Sequence, residues 1–285
     1  VSVPAGHWST LLDFLVARFP GVTRQTWTER LLRGDVVDAL GQTISLVHAS
    51  QPPCPSNTHL YYYREVPNES VIPFDEVVLY QDAHLVVVDK PHFLPVVPSG
   101  GYLNETVLVR LKRKLGLDDL VPIHRIDRDT AGLVLFSVQP ATRAVYCALF
   151  SQHLVRKTYH AIAPWHPHVL MPQVRNSRIK PAGHFMLQHE VNGPPNASTH
   201  IEVMEVRGDL ARYLLRPITG QRHQLRVHML ALGLPLLNDG LYPTLTPEGQ
   251  VDYEKPLQLL ARELQFTDPV NGQARHFVSQ RQLMF

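Results

Sequence analysis

His124-Arg125-Ile126-Asp127-Arg128-Asp129-Thr130-Ala131-Gly132 runs straight into an apolar stretch at residues 133–136, which places a dense polar cluster at the mouth of a predicted strand. Loops at strand ends are where a rigid scaffold presents reactive groups. Arginines beside a carboxylate lower its pKa and keep it ionised, as a nucleophile or an anionic base requires. A surface turn laced with salt bridges has the same composition, so residue types alone leave both readings open. Asp127 and Asp129 would face one way in an extended segment, which raises a glycosidase-like acid and base. The flanking arginines oppose the raised pKa that a general acid needs.

Around this cluster, from about residue 71, the chain reads as strands with occasional helices. Residues 85–88 are an apolar run stopped by Asp89, Lys90 and Pro91. Pro140 suits the first turn of a helix reaching about Phe150. In a strand over 157–163, Lys157, Tyr159, Ala161 and Ala163 share one side and Thr158, His160 and Ile162 the other. The stretch 164–200, rich in Pro, Gly, Asn and His, reads as irregular or a short hairpin. Its Arg175, Arg178 and Lys180 have no acidic neighbour in sequence, and such a loop suits either a phosphate backbone or open solvent. Tyr213 to Arg216 reads as a strand. Thr219 is placed to cap a helix from Gln221 to Leu232, with Arg222 and Arg226 at the margin of its buried stripe. The tail alternates at Leu257, Leu259 and Ala261, then at Leu264 and Phe266.

The first 49 residues read as a separate small α/β unit. Leu12, Leu15, Val16 and Phe19 recur at helical spacing behind Ser9, a candidate cap, and Pro20 and Gly21 end that helix. Thr23 starts a second helix carrying Trp27 and Leu31, Gly34 closes it, and Val36 and Val37 open a strand. The unit's Arg24, Arg30 and Arg33 fit an RNA surface, and a solvated helical face as well. Pro52, Pro53, Cys54 and Pro55 mark residues 50–70 as a linker, leaving 71–285 as the main domain.

With 285 residues and 44% hydrophobic content the chain has room for about two domains. Its formal net charge of +2 does not by itself mark a nucleic-acid binder, because placement of the basic residues decides that. Cys54 and Cys147 stand alone, which excludes a disulfide-built fold or a cysteine zinc site and favours the cytoplasm over export. No run is long enough for a membrane span, and no basic segment followed by an apolar run opens the chain. His223 and His228, five apart, diverge on a helix and cannot chelate as a four-apart pair does. No glycine-rich phosphate cradle follows a strand, so nothing points to a nucleotide cofactor.

Several of these separated segments together resemble the RluA family of RNA pseudouridine synthases. Residues 124–132 are similar to its H-R-L-D-x-x-T-S-G segment, which implies that Asp127 is the essential aspartate. Lys157-Thr158-Tyr159 resembles the K-x-Y motif, making Tyr159 the active-site tyrosine. Thr219-Gly220-Gln221-Arg222-His223-Gln224-Leu225-Arg226-Val227-His228 resembles T-G-R-T-H-Q-I-R-V-H, placing the aspartate's basic partner at Arg226. Residues 79–91 look like the opening strand of that catalytic domain and 257–269 like its closing segment. Residues 9–48 resemble the small RNA-binding domain named after the fourth small-subunit ribosomal protein. Departures are Ile126 and Ala131 for Leu and Ser, Gln221-Arg222 for Arg-Thr, Asn238-Asp239 for Gly-Asp, and Leu260 where His is common. None touches the proposed Asp, Tyr or Arg.

The resemblance implies an α+β fold with a mixed or antiparallel sheet, and isomerisation of uridine to pseudouridine in structured RNA, large-subunit (23S) ribosomal or transfer RNA, by a monomer needing no cofactor and no metal. Arg125 is then placed to hold a phosphate or to fill the space left by a flipped base, and Arg222 to touch RNA. Two rival classes remain: a glycoside or nucleoside hydrolase using Asp127, and a non-catalytic RNA-binding module. Release of base or sugar marks the first, and affinity without product the second.

Overall fold

Thr10 opens the first helix through a reciprocal cap: its hydroxyl accepts the Asp13 N–H at 3.1 Å, while the Asp13 carboxylate accepts the Thr10 N–H at 3.2 Å. The cap therefore falls one residue after Ser9. The computed structural model describes residues 1–63, 65–66, 69–247 and 251–285, which divide into two compact units, Val1–Pro67 and Asn68–Phe285.

The first unit runs β1 (Ser2–Val3), α1 (Leu11–Arg18), α2 (Arg24–Arg33), β2 (Val36–Val37), α3 (Leu46–Ala49), β3 (Thr58–His59) and β4 (Tyr61–Tyr62). Thr23 caps α2 and Gly34 ends it in the left-handed conformation, φ 79°, as its position predicts. Strand β1 pairs antiparallel with β3, and β2 with β4. This corrects the expected boundary at residue 49. The proline-rich segment is an internal crossing of the unit, because the chain beyond it returns to bury Leu60 among Leu11, Phe14, Leu15 and Trp27. Breaker residues report where regular structure stops, not where a core ends. Arg64, Pro67 and Asn68 of the expected linker lie outside the described residues.

The second unit continues with β5 (Val77–Gln81), β6 (Leu85–Lys90), α4 (Val107–Leu115), β7 (Val121–Pro122), β8 (Ala131–Ser137), α5 (Pro140–Ser151), β9 (Arg156–Pro164), β10 (Gln173–Pro181), β11 (Gln188–Val191), β12 (Ala197–Arg207), β13 (Leu210–Pro217), α6 (Gln224–Ala231), β14 (Leu259–Thr267) and β15 (Ala274–Val278). One mixed sheet orders them β11-β10-β12-β13-β9-β14-β8-β6-β5, with β15 on β14 and β7 on β8. The apolar runs of β6 and β8 follow from burial on both faces. Val86, Val88, Val134 and Phe136 pack under α4 residues Val107 and Leu111, whereas Leu85, Val87, Leu133 and Leu135 pack on α5 residues Tyr146 and Leu149.

The stretch 164–200 is far more regular than its composition suggests. It holds β10, β11 and the start of β12, all antiparallel, so Arg175, Arg178 and Lys180 project from a strand. The change of phase in the tail is also structural: β14 carries a register shift between Ala261 and Glu263 where it pairs with β9, which moves the buried set from odd to even positions.

Two antiparallel half-sheets meet at one parallel pairing of β14 with β8, Leu260 opposite Ala131 and Ala261 opposite Gly132. Across its other edge Ala261 pairs with Tyr159 of β9. Gly132, at φ 109°, is required there: a Cβ would lie 2.2 Å from the Ala261 carbonyl oxygen, a backbone atom that has no room to retreat. Gly132→Ala is therefore expected to destabilise the protein by about 3 kcal/mol, read as a lower urea midpoint with an unchanged slope.

Candidate active site

The polar cluster is a short loop fastened from below before it enters β8. Lys90 is fully buried, and its Nζ donates to the carbonyls of Pro91, Leu94 and Arg128 at 2.9, 2.8 and 2.8 Å. Burial pushes its pKa down to about 7. His92 Nδ1 donates to the Asp129 carbonyl at 2.7 Å. His124 accepts the Leu135 N–H at 3.1 Å and stacks on Phe150 at 4.3 Å. Asp129 is spent on Arg128, 2.8 Å away, so the two aspartates do not act as a facing pair.

Asp127 keeps 27% of its side chain exposed and meets Arg226, which keeps 1%. Arg226 Nη1 donates to Asp127 Oδ2 at 3.3 Å, while Nε donates to Asp239 Oδ2 at 2.8 Å and Nη2 to Asp239 Oδ1. Burial opposes the charge of Arg226, but the Asp239 hydrogen bonds and the fields of Asp239, Asp127 and Asp129 outweigh it and raise its pKa. Asp239 is fixed in turn by the N–H groups of Leu241 and Tyr242, at 2.8 and 3.1 Å.

Helix α6 begins at Gln224, three residues later than the periodicity predicts, because His223 adopts the left-handed conformation, φ 55°. Thr219 is not its cap. Gln224 organises the preceding turn instead: Oε1 accepts from the Thr219 hydroxyl at 2.7 Å and from the Gln221 N–H at 3.0 Å, while Nε2 donates to the Ser198 carbonyl and the Thr199 hydroxyl. Arg226 thereby sits inside the protein and not at a helix margin. The fully buried His228 is bonded to Thr199 through Nδ1 and to Ser177 through Nε2, at 2.9 and 3.0 Å.

Asp127, Tyr159 and Arg226, drawn from a loop, a strand and a helix, line one pocket together with Lys157, His223 and Leu259. The pocket opens into a wider depression bordered by Tyr102, Arg125, Arg128, His153 and Arg222. Burial and the neighbouring Asp127 raise the Tyr159 pKa, so its ring is a neutral phenol. Lys157 donates to the Thr219 carbonyl at 3.0 Å, and burial pushes its pKa down to about 8. A half-exposed carboxylate, a buried cation holding it and an aromatic surface beside it suit attack on, or proton removal from, a bound ring system.

Of the other expected RNA contacts, Arg125 is exposed at the pocket, and Arg222 clasps the β10–β11 turn by donating to the carbonyls of Phe185 and Met186 at 3.0 and 3.3 Å. Arg175 does have an acidic partner, Glu190, 3.1 Å away on β11. Arg178 rests over Gly193, where a Cβ would come within 2.7 Å of its guanidinium, and Lys180 is exposed on β10. In the first unit Arg24 pairs with Asp13, and Arg33 with Asp35 and Glu65. Arg30 is the clear correction: at 6% exposure it packs over Trp27 and Tyr62 as a cation–π partner and offers RNA no free surface.

Lys157, His223, Asp239 and Tyr242 were not assigned roles from sequence. In the sequence His223 stands only as an excluded metal ligand and a member of the 219–228 segment, and Asp239 only as the aspartate that follows the departing Asn238. Among the described residues no three His, Cys, Asp or Glu side chains group to hold a metal ion, and no helix is long and apolar enough to cross a membrane.

Residues 84–231 match the family model described as RNA pseudouridylate synthase. A relative from Synechocystis, an uncharacterised RNA pseudouridine synthase, is 30% identical over 81% of this chain and 79% of its own length. The dual-specificity RNA pseudouridine synthase RluA of Escherichia coli K12 is 36% identical over 70% of this chain and 91% of its own. Among solved structures, human RNA pseudouridylate synthase domain containing 1 superposes with a TM-score of 0.60 at 20% identity, covering 73% of this chain and 84% of that one, a likeness of fold. The chain belongs to the RNA pseudouridylate synthases, and within them to the RluA family. It is an α+β enzyme of that class.

Two outcomes follow from the buried charges. Asp239→Ala leaves Arg226 with one carboxylate in place of two and is expected to cost about 3–5 kcal/mol in denaturant unfolding. Burial pushes the His228 pKa down to about 4, below its ordinary 6.5. Between those values the unfolded chain binds a proton that the folded one refuses, so stability falls as pH falls, by up to about 1.4 kcal/mol per unit for this histidine. Unfolding curves of His228→Asn measured from pH 7 to 4 should show a correspondingly shallower decline.

Proposed function

We propose that this enzyme converts uridines in large-subunit (23S) ribosomal RNA to pseudouridine, with Asp127 as the reacting group and transfer RNA as a second substrate. The observation that carries the reading is the Asp127–Arg226 ion pair, buried on the Arg226 side and open on the Asp127 side, beside Tyr159 in one pocket. The name of the Escherichia coli relative, dual-specificity, supports more than one RNA target. The cytoplasm is the compartment that fits such substrates.

In the reaction the bond from uracil N1 to ribose C1′ breaks, the base turns, and C5 bonds to C1′; C5 loses a proton and N1 gains one. Asp127 either attacks C1′ or takes the C2′ proton, and Arg226 holds its Oδ2 in place for both. Tyr159, as a neutral phenol, supplies a face on which uracil stacks. The target nucleotide must leave its helix to reach the pocket, at a cost of a few kcal/mol. Phosphate contacts from Arg125, Lys180 and the first unit, read as an RNA-binding domain, offset that cost and make binding salt-sensitive.

Asp127→Asn is expected to abolish pseudouridine formation while changing RNA affinity less than about threefold, the carboxylate having no phosphate contact to lose. Nucleotide-resolution mapping on transcribed 23S ribosomal and transfer RNA reads the first, and filter binding the second. Turnover by the variant, or release of free uracil by the parent enzyme, sinks the assignment.

A further inference from the structure

His223 stands in the left-handed conformation at φ 55°, an unfavourable one for a residue with a side chain, with its side chain 6% exposed. The ring is held edge to face against Tyr242, centroids 5.8 Å apart at 84°. Nδ1 lies 3.0 Å from the Tyr242 hydroxyl, and that hydroxyl already accepts the Gln188 N–H at 2.8 Å. A phenol has one proton to give. Among the described residues His223 Nδ1 is the one acceptor within hydrogen-bond distance of that hydroxyl, so a Tyr242 proton given to it leaves the histidine proton on Nε2. Nε2 faces Asp127 Oδ1 at 3.8 Å, the oxygen that Arg226 does not hold.

We propose that His223, fixed as its Nε2–H tautomer by Tyr242, is a positioning residue that donates to Asp127 Oδ1 when RNA is bound. The inference rests on the reading of Asp127 as the reacting group. A closure of about 1 Å brings the pair to hydrogen-bond length, the kind of tightening that substrate binding produces in active sites. Burial lowers the His223 pKa against the pull of Asp127, which keeps the ring neutral. A neutral donor fixes the rotation of the carboxylate while drawing less electron density from it than a second cation would.

Long-range proton–nitrogen NMR on histidine-labelled enzyme should show His223 as the Nε2–H tautomer, its signals assigned by their loss in His223→Gln. Tyr242→Phe should move that population toward Nδ1–H. On transcribed 23S ribosomal and transfer RNA, His223→Ala and Tyr242→Phe should lower kcat by about 10- to 100-fold with KM within twofold, and His223→Gln should recover part of the loss. An Nδ1–H tautomer in the parent enzyme, or a kcat within twofold for Tyr242→Phe, overturns the proposal. Should His223→Ala fail to fold, the tautomer and the Tyr242→Phe rate still decide it. Turnover by Asp127→Asn would instead remove the Asp127 reading; an inactive Asp127→Asn beside fully active His223→Ala and Tyr242→Phe would remove only the role of His223.

Discussion

A guanidinium buried to 1% exposure is tolerable only with its charge answered, and Arg226 is answered by two carboxylates of different kinds. Asp239 is fully enclosed and spends both oxygens on it; Asp127 spends one and keeps the rest of its surface toward the pocket. The division matters. Asp239 meets most of the electrostatic requirement of burying the arginine, so Asp127 is held in place without both of its oxygens being consumed. The loop carrying Asp127, the turn carrying Asp239 and helix α6 must all meet at that guanidinium, which ties three distant parts of the second unit together.

Features whose physics is local were legible in the sequence. Thr23 and Gly34 bracket α2 because caps are set by the residue types beside them, and the runs of β6 and β8 were visible because both faces are covered. A hairpin within 164–200 was one of two readings and β10 with β11 forms one, but the extent of its strands was not legible, since paired strands with alternate positions exposed can be built from Gln, Arg, Asn and His without an apolar signature. Helix α6 was drawn too long because an apolar stripe records neighbours four apart and carries no trace of the left-handed residue at 223.

The site shows the same divide. Asp127, Tyr159 and Arg226 were found through motif resemblance, which names residues without giving their surroundings. Asp239 and Tyr242 escaped because their partners lie 13 and 19 residues away, and neither spacing corresponds to a helical or strand repeat. Arg30 was misjudged in the opposite direction: an arginine on an amphipathic helix looks solvent-facing until Tyr62, from beyond the proline-rich crossing, closes over it.

Ala261 has Gly132 abreast of it on one side and Tyr159 on the other. Two interstrand steps, about 10 Å in all, therefore separate the strand that the Asp127 loop feeds from the strand that bears the tyrosine. The gauge of the pocket is thus cut in peptide bonds. Strands can be added or lengthened at the far edges of the sheet without altering that backbone spacing, and the side chains lining the pocket trim what is left for a single flat ring.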